Sequence, residues 1–230
     1  MKSMDKIVGP FDKKKEAHAP VLPDVSPVVI RRLPRYHRYL RTLLERGVGR
    51  ISSSDLSRMM GVTASQIRQD LNCFGGFGQQ GYGYNVKFLY GKISELLGVN
   101  EGYQTIIIGA GNLGRALAAT HMFERRGITR LAMFDVSPTV VGRAICGLPV
   151  YHVDDLEHFC AENRVDFAVL TTPYEAAPAI ADRLSKLGVR GIWNFSNTEL
   201  ALENKNILIE NIHFSDSLMK LCFDLKNPQK

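Results

Sequence analysis

Three glycines between residues 109 and 114 have the spacing that dinucleotide binding requires. Gly109, Gly111 and Gly114 form the pattern G-x-G-x-x-G, directly after an apolar run (105–108) and at the start of a helical pattern. In that setting the first glycine permits a tight turn, the second admits a pyrophosphate, and the third lets the helix pack closely on the strand. Free N–H groups at the helix start favour phosphate binding. The predicted loop consists of Gly109, Ala110, Gly111, Asn112, Leu113 and Gly114.

An acidic residue follows this loop at a distance that suits a ribose. The next predicted strand ends in Asp135, about 20 residues after the last glycine, where a carboxylate can accept a hydrogen bond from a ribose 2′-hydroxyl. Val136 and Ser137 come next, and neither is an arginine that would accommodate a 2′-phosphate. The pattern predicts binding of NAD(H) rather than NADP(H). A Rossmann-like domain for a different nucleotide is the alternative.

A dehydrogenase would also need a proton donor and a place for its substrate. His121, His213 and Lys220 are the candidate donors, and none belongs to a recognisable catalytic pattern. After the last predicted strands about 20 residues remain, too few for a substrate domain. Since no metal-ligand spacing is present either, we expect neither catalysis nor a metal site.

Composition favours a globular protein of the cytoplasm. Hydrophobic residues make up 45% of the chain and charged residues 23%, which is ordinary for such proteins. No apolar run approaches the roughly 18 residues of a membrane span, and the lysine-rich start has no signal-peptide pattern. The cysteines are scattered without a C-x-x-C pair, which indicates reduced thiols and a cytoplasmic location.

Charge is unevenly distributed along the chain. Residues 1–100 contain 16 Lys and Arg against 8 Asp and Glu, whereas residues 101–230 contain 13 against 15. The basic first part is a candidate to bind a polyanion such as nucleic acid, and the second part is not.

Residues 28–98 have the pattern of a winged helix-turn-helix domain. A first helix is predicted from Val28, with Pro34 in its first turn and Gly47 at its end. The helix-turn-helix itself covers about 35–74: serines 52–54 cap a short helix, Gly61 makes a turn, and Thr63 or Ser65 caps a third helix. A stretch rich in glycine and aromatic residues fits a β-ribbon wing, and residues 85–98 fit a connecting helix.

The third helix is predicted to read DNA. If Ala64, Ile67 and Leu71 face inward, the polar residues between them face outward, as in a recognition helix in the major groove. Arginines of the first helix suit phosphate contacts. A basic protein–protein module is the alternative. The predicted DNA-binding residues are Arg31, Arg32, Arg35, Ser65, Gln66, Arg68, Gln69, Gln80 and Tyr82.

The remaining segments complete the predicted architecture. Residues 1–27 lack an apolar period and are predicted to be a flexible arm. Short β-branched strands alternate with helices over 99–212, which predicts an α/β Rossmann domain with a doubly wound parallel sheet. Residues 213–230 form an amphipathic helix outside that sheet, so its apolar face needs a partner.

In combination, these motifs resemble those of the Rex family of redox-sensing bacterial transcriptional repressors. The resemblance runs from about residue 28 to 226 and rests, in order, on RLPRYHRYL, ISSSDLS, SQIRQDL, GYGYNV, IIIGAGNLG, FDVSP and GIWNF. It implies a winged-helix domain fused to a Rossmann domain, and a homodimer that exchanges its C-terminal helix. It also implies a repressor that leaves double-stranded operator DNA when NADH replaces NAD+, so that genes for NADH reoxidation in fermentation and respiration are expressed.

The resemblance assigns further residues to the dinucleotide pocket. Thr171, Thr172 and Pro173 match the segment that flanks the nicotinamide, and Val136 follows the ribose acid. Phe214 resembles a phenylalanine that enters the nicotinamide region of the partner subunit.

Several positions depart from the pattern of the family. Gln69 replaces a second basic residue of the recognition helix, and Gln79 and Gln80 replace a Lys-Arg pair of the wing. Thr120 and His213 replace a tyrosine and an aspartate that couple the subunits in some members. These changes predict weaker phosphate contacts and altered coupling. A small NAD-dependent oxidoreductase and a CoA-binding Rossmann protein are the rival functions.

Overall fold

The computed structural model describes residues 26–73, 78–79, 82–202, 204 and 206–228. The chain divides into two compact units, Met1–Leu97 and Gly98–Lys230. Nearly all of the predicted arm, and the predicted wing residue Gln80, lie outside the described residues. Within the described ranges no helix is long and apolar enough to cross a membrane. The same ranges contain no group of three or more His, Cys, Asp or Glu residues arranged to hold a metal ion.

The N-terminal unit is a winged helix-turn-helix. Its helices are α1 (Pro27–Glu45), α2 (Ser53–Met60), α3 (Ala64–Asn72) and α4 (Val86–Leu96). Its strands are β1 (Arg50–Ile51), β2 (Gly78–Gln79) and β3 (Gly83–Asn85), paired antiparallel in the order β1-β3-β2.

Side-chain caps define the helix-turn-helix. The Ser52 hydroxyl accepts a hydrogen bond from the Asp55 N–H at the start of α2, and Thr63 does the same for Gln66 at the start of α3. Between the two helices Gly61 has φ +62°, a left-handed conformation that ends α2 and turns the chain. Thr63, rather than Ser65, is therefore the cap of α3.

The prediction that Pro34 lies in the first turn of α1 is wrong. The helix begins at Pro27, capped by the Ser26 hydroxyl, so that Pro34 lies inside it. Because proline has no N–H, one hydrogen bond of the helix is missing there. Burial of Leu33, Tyr36 and Leu40 in the core of this unit stabilises the helix across the interruption.

The C-terminal unit is a doubly wound α/β fold, as predicted. Its strands are β4 (Gln104–Ile108), β5 (Thr129–Asp135), β6 (Ala144–Ile145), β7 (Leu148–His152), β8 (Phe167–Leu170), β9 (Gly191–Asn194) and β10 (Leu208–Asn211). They are ordered β10-β9-β8-β4-β5-β7-β6, and every pair except β6–β7 is parallel. The chain reverses its winding direction between β4 and β8. In such sheets ligands bind at this switch point, beyond the carboxyl ends of the strands.

Apolar side chains on both faces of β4 fix it at the centre of the sheet. Ile106 and Ile108 pack into one core and Ile107 into the other, as the alternation of side chains along a strand requires. The flanking helices are α5 (Asn112–Ala119), α6 (Leu156–Glu162) and α7 (Ala177–Lys186), and α8 (Phe214–Lys226) closes the described chain. The helix after the glycine loop ends at Ala119, because Thr120 adopts an extended conformation.

Candidate dinucleotide and nucleic-acid sites

The glycine loop lies between the end of β4 and the start of α5, at the switch point of the sheet. Gly109 has φ +102°, and a β-carbon there would lie 2.8 Å from the carbonyl oxygen of Thr171. A β-carbon on Gly114 would lie 1.9 Å from the carbonyl oxygen of Gly109. At Gly111, the N-cap of α5, no atom lies within 4 Å of the position of a β-carbon. The first and third glycines therefore serve packing, and the second leaves space for a ligand.

Hydrogen bonds from two neighbouring strands hold the loop in place. Thr171, directly after β8, donates its hydroxyl to the carbonyl oxygens of Ile108 and Gly109, both at 3.0 Å. Ala110 donates its N–H to the Asp135 carboxylate at 2.6 Å, and Arg115 donates its Nε to the Ala110 carbonyl at 2.7 Å. The loop is thus fixed before any ligand binds.

Asp135 lies at the carboxyl end of β5, where the sequence predicts the ribose acid. Its Oδ1 accepts the N–H of Ser137 at 2.8 Å and its Oδ2 accepts that of Ala110. Each carboxylate oxygen has two lone pairs, so both keep capacity for ribose hydroxyls. The backbone contacts fix the carboxylate in one orientation, and its negative charge disfavours a second anion beside it.

A cavity of about 360 Å³ opens beside the loop. Seven of the twelve predicted dinucleotide residues line it: Gly109, Gly111, Asp135, Val136, Thr171, Thr172 and Pro173. Ala110, Asn112, Leu113, Gly114 and Phe214 do not. Sequence reasoning missed five lining residues, which are Ile108, Phe134, Val153, Ala176 and Ile180.

The cavity carries an unused polar group. The hydroxyl oxygen of Thr172 is buried and has no hydrogen-bond partner among the described residues. Buried polar atoms are normally paired, so an unpaired one in a cavity wall indicates a ligand that supplies the partner. Together with the open position at Gly111, this feature fits a dinucleotide with a polar group at the end of the cavity where residues 171–173 lie.

The segment after β10 brings Phe214 and His213 next to residues 195–199. Phe214 is the first residue of α8, 61% exposed, with its ring centroid 5.9 Å from that of Phe195. The His213 ring approaches Asn197 at 3.4 Å and the Glu199 carboxylate at 3.8 Å. Within one chain, every residue of α8 is exposed, so this helix buries none of its own side chains.

In the N-terminal unit, α3 presents part of its predicted polar face to solvent. Ser65, Arg68 and Gln69 are exposed, and Arg68 donates to the Ser53 hydroxyl at 3.1 Å. Arg31 on α1 is exposed, and so is Tyr82, which directly precedes β3. These residues are available to a polyanion.

Arg35 is partly engaged. It is exposed but also donates a hydrogen bond to the carbonyl oxygen of Met60, at the end of α2. The guanidinium has five N–H donors, so donors remain for a second partner.

Arg32 and Gln66, two of the predicted DNA-binding residues, bind a carboxylate of the protein itself. Arg32 binds the carboxylate of Asp70 through two nitrogens, at 2.7 and 2.6 Å, and Gln66 donates its amide to the same carboxylate at 2.9 Å. Tyr36 adds a hydroxyl at 2.8 Å. Asp70 itself is fully buried. Arg32 and Gln66 are therefore committed to an interior carboxylate that sequence reasoning missed.

The electrostatics of this cluster are consistent with a charged Asp70. Burial alone would raise the pKa of Asp70, but the hydrogen bonds from Arg32, Gln66 and Tyr36 outweigh burial and hold it below its usual value. Burial, together with the hydrogen bond to Asp70, raises the pKa of Tyr36. The hydrogen bond to Asp70 likewise raises the pKa of Arg32.

Two family models match the chain. One, described as "CoA binding domain", matches residues 100–198, and the other, described as "Putative DNA-binding protein N-terminus", matches residues 24–72. The first covers most of the Rossmann unit and the second covers the segment up to the end of α3.

Curated relatives span almost the whole chain and bear one name, "Redox-sensing transcriptional repressor Rex". The relative from Thermoanaerobacter sp. is 50% identical over 205 residues, which are 89% of this chain and 91% of the relative. The relative from Clostridium acetobutylicum is 46% identical over 220 residues, 96% and 99% of the two chains.

Solved structures of RSP, a Rex-family repressor, have the same fold. The complex of RSP with beta-NAD+ and operator DNA aligns with a TM-score of 0.83 at 50% identity, covering 88% of this chain and 93% of that one. The complex of RSP with beta-NADH gives 0.81 at 47% identity, with 88% and 95% covered.

Proposed function

The chain belongs to the Rex family of redox-sensing transcriptional repressors, and from that membership we propose that it binds operator DNA and leaves it when its Rossmann unit binds NADH. The observation that carries the proposal is the pairing of two sites in one chain. A fixed glycine loop with Asp135 lies at the switch point of a Rossmann sheet, and a basic winged helix-turn-helix precedes it. A repressor of this kind acts in the cytoplasm.

The shared part of the two dinucleotides binds at the loop. The N–H groups at the start of α5 bind the pyrophosphate beside Gly111, and Ala110, Asn112, Leu113 and Gly114 shape the loop. Asp135 accepts the ribose hydroxyls, with Val136 beside the adenosine half. NAD+ and NADH are identical in this half, so these residues bind both forms.

The residues at the nicotinamide end of the cavity distinguish NAD+ from NADH. NAD+ and NADH differ there by a hydride and a positive charge, and a ligand shifts an equilibrium only by its difference in affinity for the two states. Thr171, Thr172 and Pro173 line this end of the cavity. Phe214 of a partner subunit completes it, in a homodimer that exchanges α8.

DNA recognition belongs to α3, α1 and the wing. Ser65, Arg68 and Gln69 of α3 are exposed, and we expect them to contact base edges in a major groove. Arg31 and Arg35 contact phosphates, and Tyr82 and Gln80 are the remaining proposed contacts to DNA. The domain bounds that follow are 28–98 for DNA binding, 99–212 for NAD(H) and 213–230 for dimerisation, close to the division of the chain after Leu97.

A CoA-binding protein is the second candidate, favoured by the description of the family model that matches residues 100–198. Asp135 argues against it, because a carboxylate fixed to accept ribose hydroxyls would repel the 3′-phosphate of CoA. The dehydrogenase rival requires a proton donor beside the nicotinamide. Among the residues that line the described cavity there is no His, Lys, Tyr or Cys.

The deciding experiment is an operator-binding titration. The full-length protein is mixed with the operator duplex that RSP binds, and in parallel with a randomised duplex library, and NADH, NAD+ or CoA is then added. Release by NADH but not by CoA or NAD+ supports the proposal. Release by CoA alone, or steady turnover of NADH with carbonyl substrates, would contradict it.

A further inference from the structure

Asp70 is a fully buried carboxylate within the helix that is proposed to read DNA. Four donor atoms surround it: two nitrogens of Arg32, the hydroxyl of Tyr36 and the amide of Gln66, all within 2.9 Å. Bidentate bonds between guanidinium and carboxylate fix both distance and orientation. Nothing in the proposed function uses this group.

The cluster connects two helices. Arg32 and Tyr36 lie one turn apart on α1, and Gln66 and Asp70 lie one turn apart on α3. The contacts therefore join α3 to α1 through one carboxylate, which side chains of both helices hold in place. Because α3 has only nine residues and buries only two apolar side chains, Ile67 and Leu71, its angle depends strongly on such a polar anchor.

We propose that Asp70 is a positioning residue for operator binding, and that Arg32 and Gln66 act on DNA through Asp70 rather than by contacting phosphate or base. This inference rests on the proposed operator binding. It divides the polar residues of these helices into two sets. Ser65, Arg68 and Gln69 face the solvent and read the duplex, whereas Arg32 and Gln66 hold the reading helix at its angle.

The cost of burying a charge explains the need for all four donors. A carboxylate removed from water is stable only when its lone pairs are filled. Arg32, Gln66 and Tyr36 together fill them, so that withdrawing Arg32 or Gln66 to contact DNA would leave a buried acceptor unpaired. Such a withdrawal is disfavoured even beside a phosphate, and this keeps both side chains on Asp70 in the complex.

Salt dependence separates an arginine that contacts phosphate from one that positions a helix. Each phosphate contact contributes about 0.9 to the slope of log affinity against log salt concentration. We expect Arg32→Ala to lower operator affinity about 10- to 100-fold, from the loss of charge-assisted bonds, with no change of slope. The matched control on the same helix, Arg31→Ala, is expected to lower the slope by about one.

The conservative variant gives a second readout. A lysine is an adequate point charge for a phosphate, but it cannot form the planar bidentate contact with Asp70. Arg32→Lys is therefore expected to lose nearly as much affinity as Arg32→Ala, whereas Arg31→Lys is expected to lose much less affinity than Arg31→Ala.

For Gln66 the quantity to measure is the affinity of each variant for operators that differ by single base substitutions. Gln66→Ala is expected to weaken binding to every base-substituted operator by one common factor, because it alters the helix and not a base contact. The control, Gln69→Ala, is expected to relax preference at one base pair. In the background of Asp70→Asn, Arg32→Ala is expected to have little further effect on affinity.

The far-UV circular dichroism spectrum shows whether the helices of each variant are folded, and binding of NADH shows that its Rossmann unit is intact. The proposal is overturned if Arg32→Ala reduces the salt slope as Arg31→Ala does, if Arg32→Lys restores affinity, or if Gln66→Ala changes preference at a single base pair. Absence of operator binding by the wild-type protein contradicts the proposed function instead, and is thereby distinguishable.

Discussion

Gly111 and Gly114 differ in what surrounds the position of an added β-carbon. At Gly111 the space is open and φ is −75°, which any residue adopts. At Gly114 the carbonyl of Gly109 occupies it. A methyl group at Gly111 therefore meets only an incoming ligand, whereas one at Gly114 meets the protein itself.

The first prediction contrasts these two positions. Gly111→Ala is expected to leave the melting temperature nearly unchanged and to weaken NADH and NAD+ equally, because the pyrophosphate is common to both. Gly114→Ala is expected to destabilise the Rossmann unit by about 1–3 kcal/mol through overpacking. Calorimetric titration with both dinucleotides and thermal unfolding provide the measurements. Loss of NADH binding with NAD+ binding retained in Gly111→Ala would show that the loop discriminates between the two forms.

A second prediction concerns the charge of Asp135. Asparagine at this position would turn an amide N–H₂ towards the N–H of either Ala110 or Ser137, since both carboxylate oxygens accept backbone donors. Asp135→Asn is expected to weaken NADH about 10- to 100-fold, through the loss of charge-assisted hydrogen bonds. It should also narrow the preference for NADH over NADPH. Fluorescence titration with both dinucleotides tests this, and an unchanged preference would exclude Asp135 as the ribose acid.

Single residues also show which parts of the site can be predicted from the sequence alone. The glycines and Asp135 are predictable because their spacing along one β-α-β segment fixes their geometry. Phe134, Val153 and Ile180 line the same cavity from three separate elements, and no local spacing relates them. Asp70 was missed for another reason, since charged residues are almost never fully buried unless they are paired, and its partner Arg32 lies on another helix.

At the scale of elements, the winged helix depends on helix caps that the sequence predicts and on the hydrogen bonds around Asp70, which the sequence does not predict. Ser52, Gly61 and Thr63 each act within a few residues of their own position, so propensity identifies them. The packing of α3 on α1 depends on Asp70 and its donors, which is a tertiary feature. The path of α1 through Pro34 is likewise decided by burial and not by local preference.

The third prediction follows from the depressed pKa of Asp70. A carboxyl group whose pKa is lower in the folded protein stabilises the fold at every pH above about 3.9, the pKa of the group in the unfolded chain. This contribution is lost as the pH falls through the pKa of the group in the folded protein. Wild-type protein is therefore expected to exceed Asp70→Asn in unfolding free energy by about 1–3 kcal/mol at pH 7. The difference should stay constant down to about pH 5 and shrink at lower pH.

Pulse-labelled hydrogen exchange of peptides from α1 and α3, during urea unfolding of the full chain, measures this difference within the N-terminal unit. The variant Glu95→Gln is a suitable control in the same unit, since Glu95 is exposed and pairs with Lys92 on the surface of α4. A difference that grows as the pH falls would contradict the assignment of Asp70 as a buried anion.

At the scale of the whole molecule, α8 is a helix whose apolar side is exposed among the described residues. Phe214, Leu218, Leu221 and Leu225 recur at helical spacing on one side, and each is between 54% and 73% exposed. A helix of 13 residues with no packed face is marginal in water, because most helical stability comes from tertiary packing. The apolar side of α8 therefore requires another surface, and in the proposed homodimer a second copy of this chain supplies it.

The last prediction tests that arrangement with two matched variants of α8. Leu221→Lys places a charge in the middle of the apolar side, where it would be buried between subunits, and it is expected to shift the protein from dimer to monomer. Lys220→Ala changes the polar side, where Lys220 pairs with Asp224 of the same helix, and the dimer is expected to persist. Sedimentation equilibrium gives the mass of each variant. Since paired half-sites on an operator require two linked recognition helices, Leu221→Lys should also lose most operator affinity at protein concentrations where Lys220→Ala retains it. Equal masses for wild type and Leu221→Lys would show that α8 does not join the subunits, and dissociation of Lys220→Ala would show that the apolar side alone does not account for the dimer.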